Sequence, residues 1–251
     1  MDKKVDISGQ LANAPVWKLI VKLSIPAILA QIVNLLYNIV DRIYIGHMED
    51  VGTMAITGVG LCFPVISLIS AFTMLVAQGG APRAAIEMGK GDVKKAEKIL
   101  GNCFSLLVIL SVILTTVFLI FGEKFLMLFG ASESTIIYAL PYMNIYVAGS
   151  VFVMVSLGLN MFITTQGFTK ISMATVLIGA ITNIILDPLF IFVFHWGMTG
   201  AALATTCSCW LSTLILFTVC FIRRDIIIAP PKEIFGFSLR QVSVFMKKTL
   251  P

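Results

Sequence analysis

An all-α membrane protein, folded as a six-helix bundle, is what this sequence predicts, and three observations predict it. Of 251 residues, 58% are hydrophobic and 12% charged, with a mean hydropathy of +0.98, whereas a soluble domain carries roughly 25% charged residues. Reading from one charge or turn cluster to the next yields six stretches that reach the about 20 apolar residues a membrane helix needs. These runs mix Ser, Thr and Gly into continuous apolar sequence and show none of the alternating ten-residue segments of a membrane barrel.

The first stretch, 19–45, contains Pro26 and then Gln31, Asn34, Asn38 and Asp41. Spacings of three, four and three place these four polar residues on one helix face. The run is too long for a signal peptide and lacks a small-residue cleavage site, so it is expected to remain as the first membrane helix. Stretches 54–78 and 100–121 follow, separated by a loop rich in lysine. The fourth, 136–164, reads as one span. The fifth, 171–194, carries Asn183 one turn before Asp187, with Pro188 directly after it. The sixth, 201–222, carries a shorter stripe of Thr205, Ser208 and Ser212. Pro26 and Pro188 are the candidate hinges: a proline lacks the N–H that its helix would use, and broken helices with freed carbonyls are a recurrent way of binding coupling ions in transporters.

Charge sets the expected orientation. Sixteen of the 18 lysines and arginines fall before the first stretch or in its first turn, where Lys22 lies, after even-numbered stretches, or in the tail. Only Arg42 and Lys124 fall on the other side. Because cytoplasmic loops carry the excess of Lys and Arg, both termini are expected in the cytoplasm of a multi-pass protein of the cell membrane. Residues 1–18 then form a cytoplasmic N-terminal segment, 19–222 the six-helix lobe, and 223–251 a cytoplasmic linker. The net charge of +5 is thereby a matter of topology, and no nucleic-acid partner is expected.

The remaining chemistry is sparse. The five cysteines lie in apolar runs without a Cys-x-x-Cys pair or a histidine at ligand spacing, and are read as small packing residues. Gly89-Lys90-Gly91-Asp92 lacks the preceding strand and the spacing of a phosphate loop. No nucleophile, base and orienter set can be assembled within the spans, so no enzyme and no cofactor are expected.

Of the 13 acidic residues, only Asp41 and Asp187 lie inside apolar stretches. An ionised carboxylate there costs about 2.5–3.5 kcal/mol on insertion scales, so such residues usually face the bundle interior and mark ion or proton pathways. At about 1.5 Å rise per residue, Asp41 lies roughly 7 Å and Asp187 roughly 12 Å below the outer ends of their helices. With Asn183 and a hydroxyl from the stripe of Thr205, Ser208 and Ser212 they are expected to form an oxygen-rich cation site. Gln31, Asn34, Asn38 and Ser208 are expected to line the adjoining substrate cavity. A proton or Na⁺ and a cationic substrate would compete there for the same negative charge, which is the minimal physics of antiport. The competing readings are that Asp41 pairs with Arg42, and that the polar stripes are ordinary interhelical hydrogen bonds.

Four motifs in order resemble those of the multidrug and toxic compound extrusion (MATE) transporters. They are Ser24-Ile25-Pro26, Val40-Asp41-Arg42 with Gly46-His47, the loop from Lys90-Gly91-Asp92 to Ala96, and Asn183-Ile184-Ile185-Leu186-Asp187-Pro188. The resemblance covers essentially the whole chain and corresponds to the first half of the family fold. It implies one lobe of a twelve-helix transporter that exports cationic and amphipathic drugs in exchange for Na⁺ or H⁺. The family's first-lobe cation site falls on Asp41, Asn183, Asp187 and Thr205. A second lobe, or a second copy, is the implied partner, besides membrane lipid and a small cationic substrate. The pattern of Trp17 to Pro26 returns in Val242 to Pro251 and reads as the start of a second repeat.

Two other functions compete. A lipid-linked saccharide flippase of the same superfamily would be expected to line its cavity with basic residues, whereas the intramembrane charges here are acidic. A non-transporting membrane fragment or interaction protein is the alternative from a different class, since one lobe has no opposing wall for alternating access.

Overall fold

The computed structural model describes residues 15–48, 51–222 and 226, and among these every regular element is helical. In chain order they are α1 (Val16–Gly46), α2 (Gly52–Gly89), α3 (Val93–Leu128), α4 (Glu133–Ala148), α5 (Ser150–Thr165), α6 (Thr169–Pro188), a π-helical turn (Leu189–Val193) and α7 (Gly197–Ile222). Five of the spans are long apolar helices, and α4 with α5 makes the sixth. The linker at Pro230-Pro231 and the repeat at 242–251 lie outside the described residues.

The long helices end where the sequence offers a specific stop. Gly130, at φ +97°, follows α3. Its N–H bonds to the Met127 carbonyl at 3.1 Å, and the Ala131 N–H bonds to the Leu126 carbonyl at 2.9 Å. That pair of bonds satisfies the last carbonyls of the helix, and only glycine adopts the required left-handed conformation without penalty. Gly167 closes α5 in the same way. At the start of α3, Asp92 Oδ1 accepts from the Lys95 N–H at 3.1 Å, and a Ser132–Thr135 capping box opens α4. Gly91, at φ +82°, ends α2 as Gly130 ends α3, and the two helices run to 38 and 36 residues, well past their apolar stretches.

Two expected spans differ from straight helices. The 136–164 stretch is broken at Gly149, where α4 and α5 meet with a bend of 54°. The break coincides with a close contact: Gly149 has no side chain, and Thr206 of α7 occupies the space a methyl group would need. The break is stitched from the other side, since Thr115 Oγ1 donates to the Val147 carbonyl at 2.9 Å and lies 3.0 Å from Ser150 Oγ. The 171–194 stretch changes geometry at Pro188, whose missing N–H precedes the π turn.

The core lies among α2, α3, α4, α5 and α7, and includes Leu107, Leu126, Met143, Met154 and Leu216, all almost fully buried. α1 stands apart. It rests chiefly on α6, and only 6% of its apolar stretch is buried against 33% for α2. Its outward face, with Ile28, Leu35 and Ile39, is exposed.

Candidate cation-binding site

The contact between α1 and α6 brings Asp41 to Asn183 and Asp187. All three are buried, at 7%, 1% and 0% exposure. Asn183 Nδ2 donates to Asp187 Oδ1 at 3.2 Å, one turn along its own helix, and reaches Thr205 Oγ1 of α7 at 3.5 Å. The Asp41 and Asp187 carboxyls face each other across the α1–α6 interface. The four residues expected to form the site therefore meet in one place.

Their hydrogen bonding is incomplete in a specific way. Asp41 Oδ1, Asn183 Oδ1 and Asp187 Oδ2 are buried and have no hydrogen-bond partner. A buried acceptor without a donor costs about 1–3 kcal/mol, and more when it is charged. Every orphan here is an oxygen acceptor, the kind of atom that a proton or a cation would satisfy. Arg42 is exposed and forms no salt bridge with Asp41, although its charge acts on that carboxyl, and the salt bridges seen among the described residues belong to Glu87, with Lys90 at 3.1 Å and Lys95 at 3.0 Å. The donor set is carboxylate, amide and hydroxyl oxygen, which suits a hard cation. Among the described residues no three His, Cys, Asp or Glu side chains come together.

The residues expected to line the cavity are placed differently from one another. Gln31 and Asn38 are exposed and Asn34 is half-buried, so of the four-residue stripe only Asp41 is buried. Asn38 Nδ2 is turned back to the Asn34 carbonyl at 2.6 Å. Ser208 is buried and donates to the Thr205 carbonyl at 2.8 Å. Pro26 is buried within α1, and Pro188 links Asp187 to the π turn.

Sequence reasoning missed the aromatic surroundings. Tyr37 lies within electrostatic range of Asp41, Asp187 and Cys209, and Tyr142 within range of Asp41. Tyr146 lies within electrostatic range of Tyr37 and Cys209. Tyr37 is one turn before Asp41, a spacing that could have revealed it. Tyr142 and Tyr146 come from another span, and no local signal marks them.

The family model MatE matches residues 26–189. The multidrug export protein MepA of Staphylococcus haemolyticus is 27% identical over 213 residues, covering 85% of this chain and 46% of that protein. An outward-facing multidrug resistance MATE family transporter of the MOP superfamily superposes with a TM-score of 0.82 at 27% identity, covering 96% of this chain and 52% of that one. A MOP superfamily transporter from Pyrococcus furiosus, for which a reversed polarity of the binding pocket suggests a different function, gives 0.82 at 28% identity with the same coverage. The chain spans about half the length of these relatives.

Proposed function

Because the chain belongs to the MatE family, we propose that it is the cation-coupling lobe of a secondary exporter of cationic or amphipathic drugs. The observation that carries this reading is the set of three oxygens on Asp41, Asn183 and Asp187, buried together without a hydrogen-bond donor. In this reading both termini face the cytoplasm and the site lies in the outer half of the membrane. Na⁺ or a proton entering from outside supplies what the oxygens lack and favours one packing of α1 against α6. A cationic drug arriving from inside competes for the same negative charge, so binding one favours release of the other. Each ligand shifts the equilibrium only by its differential affinity for the two packings. Substrate access requires an opposing wall, provided by a second lobe or a second copy.

The acidic character of the site favours a cationic substrate over an anionic lipid-linked saccharide. The test is efflux of ethidium from membrane vesicles under imposed Na⁺ or pH gradients, with the protein as cells produce it. Asp187→Asn, inserted at normal levels, is expected to lower gradient-driven efflux by about tenfold or more, the scale on which losing a charged coupling ligand acts. Efflux at the unaltered rate in that variant would remove the coupling role. Normal assembly of the unaltered protein with no efflux under either gradient would leave the non-transporting reading.

A further inference from the structure

Thr175, Gly179, Asn183 and Asp187 follow one another at intervals of four residues, so they form one stripe along α6. Facing them on antiparallel α7 are Ser212, Ser208 and Thr205. The contacts run in register along this seam. Ser212 Oγ donates to the Thr175 carbonyl at 3.3 Å, and at the other end Asn183 Nδ2 reaches Thr205 Oγ1 at 3.5 Å. Between them lies Gly179. A methyl group there would collide with Ser212 Oγ, while standing 3.6 Å from Ser212 Cβ and 3.8 Å from the Ser208 carbonyl oxygen.

We propose that Gly179 and Ser212 are positioning residues for the cation site: their close approach sets the α6–α7 separation, and with it the reach of Asn183 to Thr205. The proposal rests on the reading of Asp41, Asn183, Asp187 and Thr205 as that site. Two features carry the effect of that approach to Asn183. The far end of the seam is held against α5, where Thr175 Oγ1 lies 3.0 Å from Asn160 Oδ1 and Thr213 Oγ1 3.1 Å from the Phe152 carbonyl, each hydroxyl also facing a carbonyl of its own helix at 2.8 Å. The near end is held by the π turn that joins the two helices and by Gly200 against the Phe190 backbone, so widening at Gly179 falls on the longest hydrogen bond of the seam, Asn183 to Thr205. The Asn183–Thr205 contact already stands at the outer limit of a hydrogen bond, so an opening of a few tenths of an ångström loses it.

The experiment measures cation-dependent thermal stabilisation of the purified full chain, titrating NaCl at fixed pH and, separately, pH in choline chloride. Gly179→Ala is expected to move the responding midpoint by about tenfold toward weaker binding, the equivalent of about 1.4 kcal/mol. The double variant Gly179→Ala with Ser212→Ala leaves two methyl groups in ordinary contact and is expected to return to within about threefold of the unaltered protein. Ser212→Thr enlarges the same contact from α7, and carries the test if Gly179→Ala does not assemble. An unmoved midpoint in the enlarged variants, or no recovery in the double variant, overturns the positioning role. If Asp187→Asn responds to both titrations like the unaltered chain, the site reading itself has failed, a result separate from either of these.

Discussion

At the scale of single residues, Thr175 shows what a hydroxyl does inside an apolar bundle. It is 2% exposed and holds Asn160 Oδ1 at 3.0 Å, while Asn160 Nδ2 donates to the Ser156 carbonyl at 3.0 Å. Thr175→Val keeps the shape and strands the Asn160 oxygen. We expect a loss of about 1–2 kcal/mol, read as a lower thermal unfolding midpoint in detergent. Asp41, Asn183 and Asp187 were legible in the sequence for a related reason: a carboxyl or amide in an apolar run is costly, so its presence implies a use. Tyr142 was not legible, because an aromatic residue in such a run is what any core would also use. Gln31 and Asn38 show the limit of counting residues along a helix, since spacing defines a face without saying what that face meets.

At the scale of elements, the broken fourth span is the main departure from a bundle of straight helices. Glycine in a membrane helix is compatible with an unbroken run, so nothing local to 136–164 announced the bend. The residue packed onto Gly149, Thr206, is distant in sequence. Gly149→Val is expected to cost about 1–3 kcal/mol through overpacking, and adding Thr206→Ala should recover part of that loss in the same unfolding assay. Gly60 provides the control, because a methyl group there meets nothing within 4 Å. Gly60→Ala should be neutral, or stabilising by up to about 1 kcal/mol through helix propensity. The stops of α3 lie beyond the 100–121 stretch because apolar length marks the membrane crossing and not the helix ends, which Asp92 and Gly130 set through short-range bonds.

For the whole molecule, the span count was legible because bilayer thickness fixes the apolar length, and the expected orientation followed from Lys and Arg placement. In the structure α3 separates the turn at Gly91 from that at Gly130 by a single 36-residue helix. After replacement of the native cysteines, Lys90→Cys and Ser132→Cys should therefore be labelled by an impermeant maleimide from opposite sides of the membrane, Lys90→Cys from the cytoplasm. Labelling of Lys90→Cys from the outer side and Ser132→Cys from the cytoplasm would overturn the orientation, and labelling of both from one side would overturn the crossing by α3. The loose seating of α1 was not legible, since Leu and Ile are as acceptable to lipid as to a neighbouring helix.

The aromatic cluster after Asp187 has an optical consequence. Trp196 packs on Phe190 and Phe194, with ring centroids 5.3 and 5.2 Å apart, directly beyond the π turn that Pro188 opens. Its backbone N–H is tied to the Phe190 carbonyl at 3.0 Å, so the indole follows that turn and not a floppy loop. Of the other two tryptophans, Trp17 stands exposed at the start of α1 and Trp210 rests edge-on against Phe152. The chain thus carries an intrinsic fluorophore mechanically joined to its buried carboxylate, with two reference emitters in other parts of the bundle.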